Sequence, residues 1–133
     1  MTGGLEAAPA LVRTALRLAG APYRDGGADP AGFDCSGFTQ YVFARHQVAL
    51  PREVRDQFAL GEPVPPGAIE PGDLLFFTTV APGASHVGIA VDADRFVHAP
   101  SSRGVVRIER LSAPYWASRF VGARRVRAAP PAR

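Results

Sequence analysis

The hydrophobic pattern of this chain changes its period at Asp73, and the change limits how the chain can fold. Ahead of Asp73, apolar residues recur every three or four positions within 11–19 and 38–45, which predicts amphipathic helices. After Asp73, the apolar residues form continuous or alternating runs of strand length. The first half of the chain is therefore predicted to be helical, and the second half is predicted to be built from strands.

Glycine, proline and helix-capping residues set the predicted bounds of these elements. Helices are predicted from Pro9 to just before Gly20, from Cys35 to about His46, and over a short stretch through Val54 and Phe58. Strands are predicted at 73–77, 86–91, 95–99, 105–108 and 120–124, with a turn or short helix around 114–116. The first strand is continuously apolar, which is typical of a strand covered on both faces. The proline-rich residues 63–72 are expected to form turns.

The second and third predicted strands form a hairpin, and the length of its loop decides where its two histidines point. With a three-residue loop at 92–94, Gly88 lies opposite His98, so His98 shares a face of the sheet with His86. A two-residue loop would turn His98 to the other face. We expect three residues because Asp94 tolerates the left-handed conformation that such a loop requires at its end.

Cys35 is the only cysteine in the chain, and it lies at the predicted start of the second helix. Asp34 is a competent N-cap for that helix. Free backbone N–H groups and the positive end of the helix dipole favour a thiolate at such a position, so the pKa of Cys35 is expected to be lowered. A lone cysteine can also be a small buried hydrophobic residue, and that alternative stays open at this point.

Cys35, His86 and His98 supply the parts of a Cys–His–His triad. Cys35 would attack a carbonyl, His86 would hold the thiolate as an ion pair and later protonate the leaving amine, and His98 would orient the His86 ring. The same three side chains could bind zinc, but no carboxylate lies in a matching motif beside them, so no metal is predicted.

Composition narrows the classes of partner. All 15 basic residues are arginine, which excludes lysine-based nucleophiles, and they form no long basic run, so no nucleic-acid partner is expected. One cysteine cannot form an internal disulfide. No apolar stretch approaches the roughly 18 residues that span a bilayer, and the N-terminus lacks the pattern of a secretion signal. We expect no membrane association and no cofactor, and a monomer that is cytoplasmic as made unless it leaves the cytoplasm by another route.

Six blocks of the sequence together resemble the NlpC/P60 cysteine peptidases. They occur in the family's order and extend over residues 9 to about 126. The blocks are Ala21–Gly27, Phe33–Phe38, Leu50–Arg52, Pro71–Phe77, Ser85–Ile89 and Val97–Ala99. The resemblance implies an α+β, papain-like fold with N-terminal helices, in which the cysteine helix packs on an antiparallel β-sheet. With the ends of the chain interpreted as loose, we expect an N-terminal lead (1–8), an NlpC/P60 catalytic domain (9–127) and a flexible tail (128–133).

The resemblance also implies an activity and a substrate. These peptidases hydrolyse peptidoglycan stem peptides, commonly between γ-D-glutamate and diaminopimelate. In relatives that take a stem with a free L-alanine amine, residues matching Asp34 and Ser36 bind that amine, and the residue matching Tyr23 is implicated in oxyanion binding. Arg52 follows a loop near the groove and is a candidate for binding a substrate carboxylate.

Two other functions fit the same residues. The thiolate chemistry also serves amidases and acyltransferases of the same superfamily, although the loops near the site are rich in Gly, Pro, Arg and Asp rather than apolar residues. A non-catalytic wall-binding module is the second alternative, and a degenerate member of that kind would be expected to lack a triad residue.

Overall fold

The computed structural model describes residues 3–101 and 104–127 of the chain. In these ranges the helices are α1 (Gly3–Arg17), α2 (Cys35–Ala44), α3 (Val54–Phe58) and α4 (Pro114–Ala117), with a 3-10 turn at Pro66–Ala68. The strands are β1 (Ala28–Asp29), β2 (Gly32–Phe33), β3 (Glu62–Val64), β4 (Leu74–Phe77), β5 (His86–Ala90), β6 (Arg95–His98), β7 (Arg107–Arg110) and β8 (Phe120–Arg125). None of the helices within these ranges has the length and apolar character needed to cross a membrane.

A six-stranded antiparallel sheet in the order β3-β8-β4-β5-β6-β7 forms the centre of the fold. Its central strands β4 and β5 are buried along their whole length, as the continuous apolar run predicted for β4. Helices α1 and α2 pack on one face through a core that includes Phe38 and Phe76. Phe77 and Trp116 belong to the core on the other face. The expected α+β architecture, with the cysteine helix packed on an antiparallel sheet, is confirmed.

The predicted register of the β5–β6 hairpin is confirmed, but the reason for it differs. Ile89 lies opposite Val97, which is the pairing that a three-residue loop produces. Asp94 is not left-handed, because Gln47 is the only non-glycine residue with a positive φ in the described ranges. Instead the Asp92 carboxylate accepts hydrogen bonds from the backbone N–H groups of the two loop-closing residues, Asp94 and Arg95, at 2.9 and 2.7 Å.

The first helix begins at Gly3 rather than at the predicted Pro9. Proline is a frequent first residue of helices because it lacks the N–H that the first turn leaves unpaired, and this made Pro9 a start signal. In the structure Pro9 lies inside α1, so residues 3–8 of the predicted lead are helical. Residues 1 and 2 and the predicted tail, 128–133, lie outside the described residues.

Two strand predictions also need correction. β3 lies in a region predicted to form turns, but it is a three-residue edge strand that pairs with β8 alone. Its Pro63 has no backbone N–H to donate, which an edge strand tolerates because its outer side has no partner strand. β7 begins at Arg107, two residues after the predicted start. Val105 instead bridges to Pro22, which belongs to the loop after α1.

Gly37 allows the loop before α2 to lie directly on the first turn of that helix. A Cβ atom at Gly37 would overlap the carbonyl oxygen of Gly27. The same Gly27 carbonyl accepts a hydrogen bond from the Asp34 N–H at 2.9 Å, so it is held in place. The start of the cysteine helix therefore requires glycine at position 37 for steric reasons.

We expect Gly37→Ala to lower the free energy of unfolding by about 1–3 kcal/mol through overpacking, although alanine has the higher helix propensity. Gly67→Ala is the matched control, because a Cβ there would meet no atom within 4 Å. Urea unfolding of both variants checks this. Equal stability of the two variants would contradict the proposed steric requirement at position 37.

Candidate active site

Cys35 is the first residue of α2, as its position after Asp34 predicted. The Asp34 backbone is extended, and its side chain accepts a hydrogen bond from the Gly37 N–H at 2.7 Å, so Asp34 is the N-cap. The N–H groups of Ser36 and Val87 are both directed at the Cys35 sulfur. Since Val87 follows His86 on β5, this contact places the sulfur at the beginning of the histidine strand.

The pKa of the Cys35 thiol is raised, to about 11, and not lowered as predicted. Burial is the largest cause, and the nearby Asp34 carboxylate adds to it. The N–H groups of Ser36 and Val87 act in the opposite direction but are outweighed. The free protein therefore holds a neutral thiol at neutral pH. The sequence pattern located the helix terminus but carried no information on how far the sulfur is removed from water.

His86 and His98 lie side by side on the face predicted from the hairpin register. The His86 Nε2 is 2.7 Å from the His98 Nδ1, and the two rings meet edge to face with centroids 5.0 Å apart. Both rings are buried. Burial is the main reason that the pKa of His86 is lowered to about 3 and that the pKa of His98 is also lowered. Both imidazoles are therefore neutral at neutral pH.

Glu109 on β7 contacts this pair and was not among the predicted site residues. Its Oε2 lies 3.0 Å from the His98 Nε2, and its Oε1 accepts a hydrogen bond from the Trp116 Nε1 at 3.1 Å. The hydrogen bond with His98 is the largest cause that lowers the pKa of Glu109, to about 2, so the carboxyl group is ionised. A correct prediction of the bounds of β7 would have drawn attention to Glu109. The strand was predicted at 105–108, so Glu109 lay one residue beyond its predicted end.

Arg52, Asp34 and Ser36 form a second polar group beside the cysteine. The Arg52 Nη2 donates to the Asp34 Oδ2 at 2.8 Å, and the Nη1 donates to the Ser36 hydroxyl oxygen, also at 2.8 Å. Asp34 and Ser36, the two residues predicted to bind a substrate amine, are thus both hydrogen-bonded to the Arg52 guanidinium. Arg52, which sequence reasoning placed against a substrate carboxylate, is bound within the protein to the two residues that flank Cys35.

Tyr23 lies close enough to Cys35 for the charges of Cys35 and Asp34 to act on its phenol. Burial, followed by a hydrogen bond to Asp25, raises the pKa of Tyr23 to about 12. The phenol therefore keeps its proton and can donate a hydrogen bond. Across the described ranges, no cluster of three or more Cys, His, Asp or Glu side chains has an arrangement that could hold a metal ion.

Comparisons with known sequences support one family. The sequence profile of the NlpC/P60 family matches residues 20–125. The chain is 45% identical over 118 residues to a gamma-DL-glutamyl hydrolase of Bacillus subtilis, a match that covers 86% of this chain and 28% of the relative. It is 44% identical over 110 residues to a probable endopeptidase of Haemophilus influenzae, covering 81% of this chain and 68% of the relative.

Solved structures agree with this assignment. An NLP/P60 family protein similar to a lipoprotein, from Staphylococcus aureus, superposes with a TM-score of 0.82 at 34% identity, covering 91% of this chain and 41% of that one. The peptidoglycan hydrolase RipB of Mycobacterium tuberculosis superposes with a TM-score of 0.79 at 30% identity, covering 92% and 65%. The expected NlpC/P60 fold is confirmed. The chain spans only about a quarter of the length of the Bacillus relative.

The buried histidines are expected to make the fold sensitive to acid. An unfolded histidine has a pKa of about 6.5, whereas the folded pKa of His86 is about 3. The unfolded chain therefore takes up the proton first as the pH falls. Above about pH 6.5, His86 takes nothing from the free energy of unfolding, because it is neutral in both states. Below that pH, the free energy of unfolding should fall by up to about 1.4 kcal/mol per pH unit toward pH 3.

Urea unfolding at several pH values between about 7 and 5 measures this slope. His86→Gln should show a shallower slope than the wild type, because its buried titrating group is gone. Arg55→Gln, an exposed substitution outside the site that removes no group titrating in this range, is the control and should keep the wild-type slope. An unchanged slope in His86→Gln would contradict the assignment.

Proposed function

The chain belongs to the NlpC/P60 family, and from that premise we propose that it is a cysteine endopeptidase acting on peptidoglycan stem peptides. One observation carries the proposal: the only cysteine lies at the N-terminus of α2, in contact with the β5 strand whose first residue, His86, is hydrogen-bonded to His98. A nucleophile, a base and a group that orients the base are the parts that acyl transfer requires. The names of the compared relatives, a glutamyl hydrolase, a probable endopeptidase and a peptidoglycan hydrolase, support the same class of reaction.

His86 would act as a general base rather than as one half of a resting ion pair. Its Nε2 is engaged with His98, which leaves its Nδ1 to accept the thiol proton as the Cys35 sulfur attacks the amide carbon. The carbon–nitrogen bond then breaks, and the imidazolium returns the proton to the leaving amine. Water hydrolyses the resulting thioester and restores the thiol. Because burial keeps Cys35 and His86 neutral at rest, charge would develop on them only as the sulfur attacks the amide carbon.

The oxyanion of this reaction would form at the first turn of α2. Backbone N–H groups at a helix N-terminus are suitable donors for a developing negative charge. The Tyr23 phenol would be a second donor once its proton turns from Asp25 to the oxyanion, since its raised pKa, about 12, keeps it protonated throughout the pH range in which enzymes work. Its proximity to Cys35 supports this role.

Asp34, Ser36 and Arg52 would bind the part of the stem that precedes the cut bond. A γ-linked D-glutamate has a free α-carboxylate, which a guanidinium recognises, and a terminal L-alanine has an ammonium group, which a carboxylate and a hydroxyl recognise. The bidentate contacts of Arg52 with Asp34 and Ser36 support a shared site for both groups. The γ-D-glutamyl–diaminopimelate bond is therefore the proposed point of cleavage.

Mass spectrometry of defined stem peptides tests the reaction. We expect the wild type to release a fragment that ends in γ-D-glutamate, and we expect Cys35→Ala to release none, a loss of at least about 10³-fold, as for removal of other acyl-transfer nucleophiles. Cleavage of a cross-linked stem at a D-alanyl bond alone would replace the proposed bond. Transfer of the acyl group to an added amine, without hydrolysis, would replace the proposed reaction by acyl transfer.

A second prediction concerns Arg52. Arg52→Lys should raise the KM for stems with a free L-alanine amine by roughly 10-fold, because lysine cannot donate to Asp34 and Ser36 in the fork geometry of a guanidinium. Arg55→Lys on α3 is the matched control, since Arg55 is exposed. Steady-state kinetics with a free and an N-acetylated stem measure the effect. A change in kcat with an unaltered KM would contradict a binding role for Arg52.

A further inference from the structure

We propose that Glu109 is a positioning residue that sets the tautomers of both His98 and His86 and so leaves the His86 Nδ1 free to accept the thiol proton. The inference deepens the proposed function and rests on it for the reaction, although not for the tautomers themselves. It depends on a continuous row of hydrogen bonds that begins at the edge strand β7 and ends at the catalytic site.

The row of hydrogen bonds begins at the Glu109 carboxylate, which accepts from two neighbouring side chains. Trp116 on α4 can only donate from its Nε1, and it donates to the Glu109 Oε1 at 3.1 Å. The other oxygen, Oε2, lies 3.0 Å from the His98 Nε2. Because an ionised carboxylate has no proton to donate, the His98 Nε2 must carry the proton of this hydrogen bond.

The same logic extends to His86. A neutral His98 that is protonated on Nε2 has a lone pair on Nδ1, and this Nδ1 lies 2.7 Å from the His86 Nε2. His86 must therefore donate from its Nε2, and in its neutral form it then has its lone pair on Nδ1. The opposite tautomers would set the His98 Nε2 lone pair against the carboxylate and place a proton on the His86 Nδ1. Only the first arrangement leaves His86 with a base that can act on Cys35.

The surroundings of Glu109 keep it ionised and fixed. The Arg107 Nε on the same strand lies 3.7 Å from its Oε2, and the Trp116 ring, which bonds its Oε1, also stacks on His86 with centroids 5.3 Å apart. His98 on β6 is a third polar neighbour, and beside it the apolar Phe96 ring packs at 4.5 Å between centroids. Glu109 is thus held from β6, β7 and α4.

A carboxylate is required here because both of its oxygens accept. A glutamine offers one acceptor and one donor. If its oxygen faced Trp116, its amide N–H would face His98 and would drive the proton from the His98 Nε2 to its Nδ1. If its oxygen faced His98, two donors would oppose each other at Trp116. The first orientation keeps every hydrogen bond and is the one we expect, so Glu109→Gln should reverse both tautomers.

Nitrogen-15 NMR of the free protein, labelled at histidine, reads these tautomers directly without any substrate. In the wild type, His86 and His98 should both be protonated on Nε2. In Glu109→Gln both should be protonated on Nδ1, while the His46 signals stay in place and show that the fold is intact. In Glu109→Gln combined with Trp116→Phe, the amide can turn its oxygen to His98, and the wild-type tautomers should return.

Stem-peptide kinetics give the functional readout. Glu109→Gln should lower kcat about 100-fold or more with less than about a 3-fold change in KM, since a base held in the wrong tautomer affects the chemical step and not substrate binding. Glu62→Gln on β3, the opposite edge strand, is the matched control and should behave as the wild type. Glu109→Asp keeps a carboxylate and should retain more activity than Glu109→Gln.

Unchanged tautomers in a folded Glu109→Gln would overturn the proposal, whatever the substrate is. A fall in kcat in Glu62→Gln equal to that in Glu109→Gln would also overturn it, because the effect would then not depend on the site. Reversed tautomers in Glu109→Gln, together with a wild type that cleaves no stem peptide, would support the positioning role and reject only the proposed substrate.

Discussion

The first turn of α2 lies directly on the loop before it and on the beginning of β5, and the site depends on this contact. The Gly27 carbonyl occupies the space that a side chain at position 37 would need, and the backbone N–H of Val87 lies near enough to the Cys35 sulfur to act on its pKa. Asp34 caps the helix in the same place. Cys35, the backbone N–H groups at the start of α2 and the histidine strand are thereby brought together by close backbone packing, which a side chain at position 37 would prevent.

Burial determines the charge state of the site at rest. A charged group in a protein interior costs several kcal/mol unless it is well paired, and the opposite shifts of the Cys35 and His86 pKa values reflect this cost. Cys35 and His86 are therefore both neutral at rest. The permanent charges lie at its margins, on Glu109 at one end and on Asp34 with Arg52 at the other.

The edge strand β7 combines two tasks. Its sequence, Arg-Ile-Glu-Arg, places charged side chains on an edge that would otherwise be open to pairing with another chain. Its one acidic residue, Glu109, contacts His98 instead of protecting the edge. A strand that protects the edge of the sheet thus also supplies the far end of the hydrogen-bond row.

Local sequence determined the elements and their immediate geometry. The period of the apolar residues predicted α2, β4, β5, β6 and β8, and the residue before Cys35 predicted the N-cap. A three-residue loop, although expected for the wrong reason, predicted the register that brings His86 beside His98. Each of these depends on interactions between residues near one another in the chain, so a single sequence contains the necessary information.

Tertiary structure alone decided the rest. The raised pKa of Cys35 depends on how many distant elements cover the sulfur. The contact of Glu109 with His98 depends on the register of β7 against β6, which no short loop determines, and the bridge of Val105 to Pro22 shifted the start of that strand. Arg52 reaches Asp34 and Ser36 because α3 folds back beside α2. Desolvation and long-range pairing arise only when the chain is packed, so they have no signature in the spacing of residues.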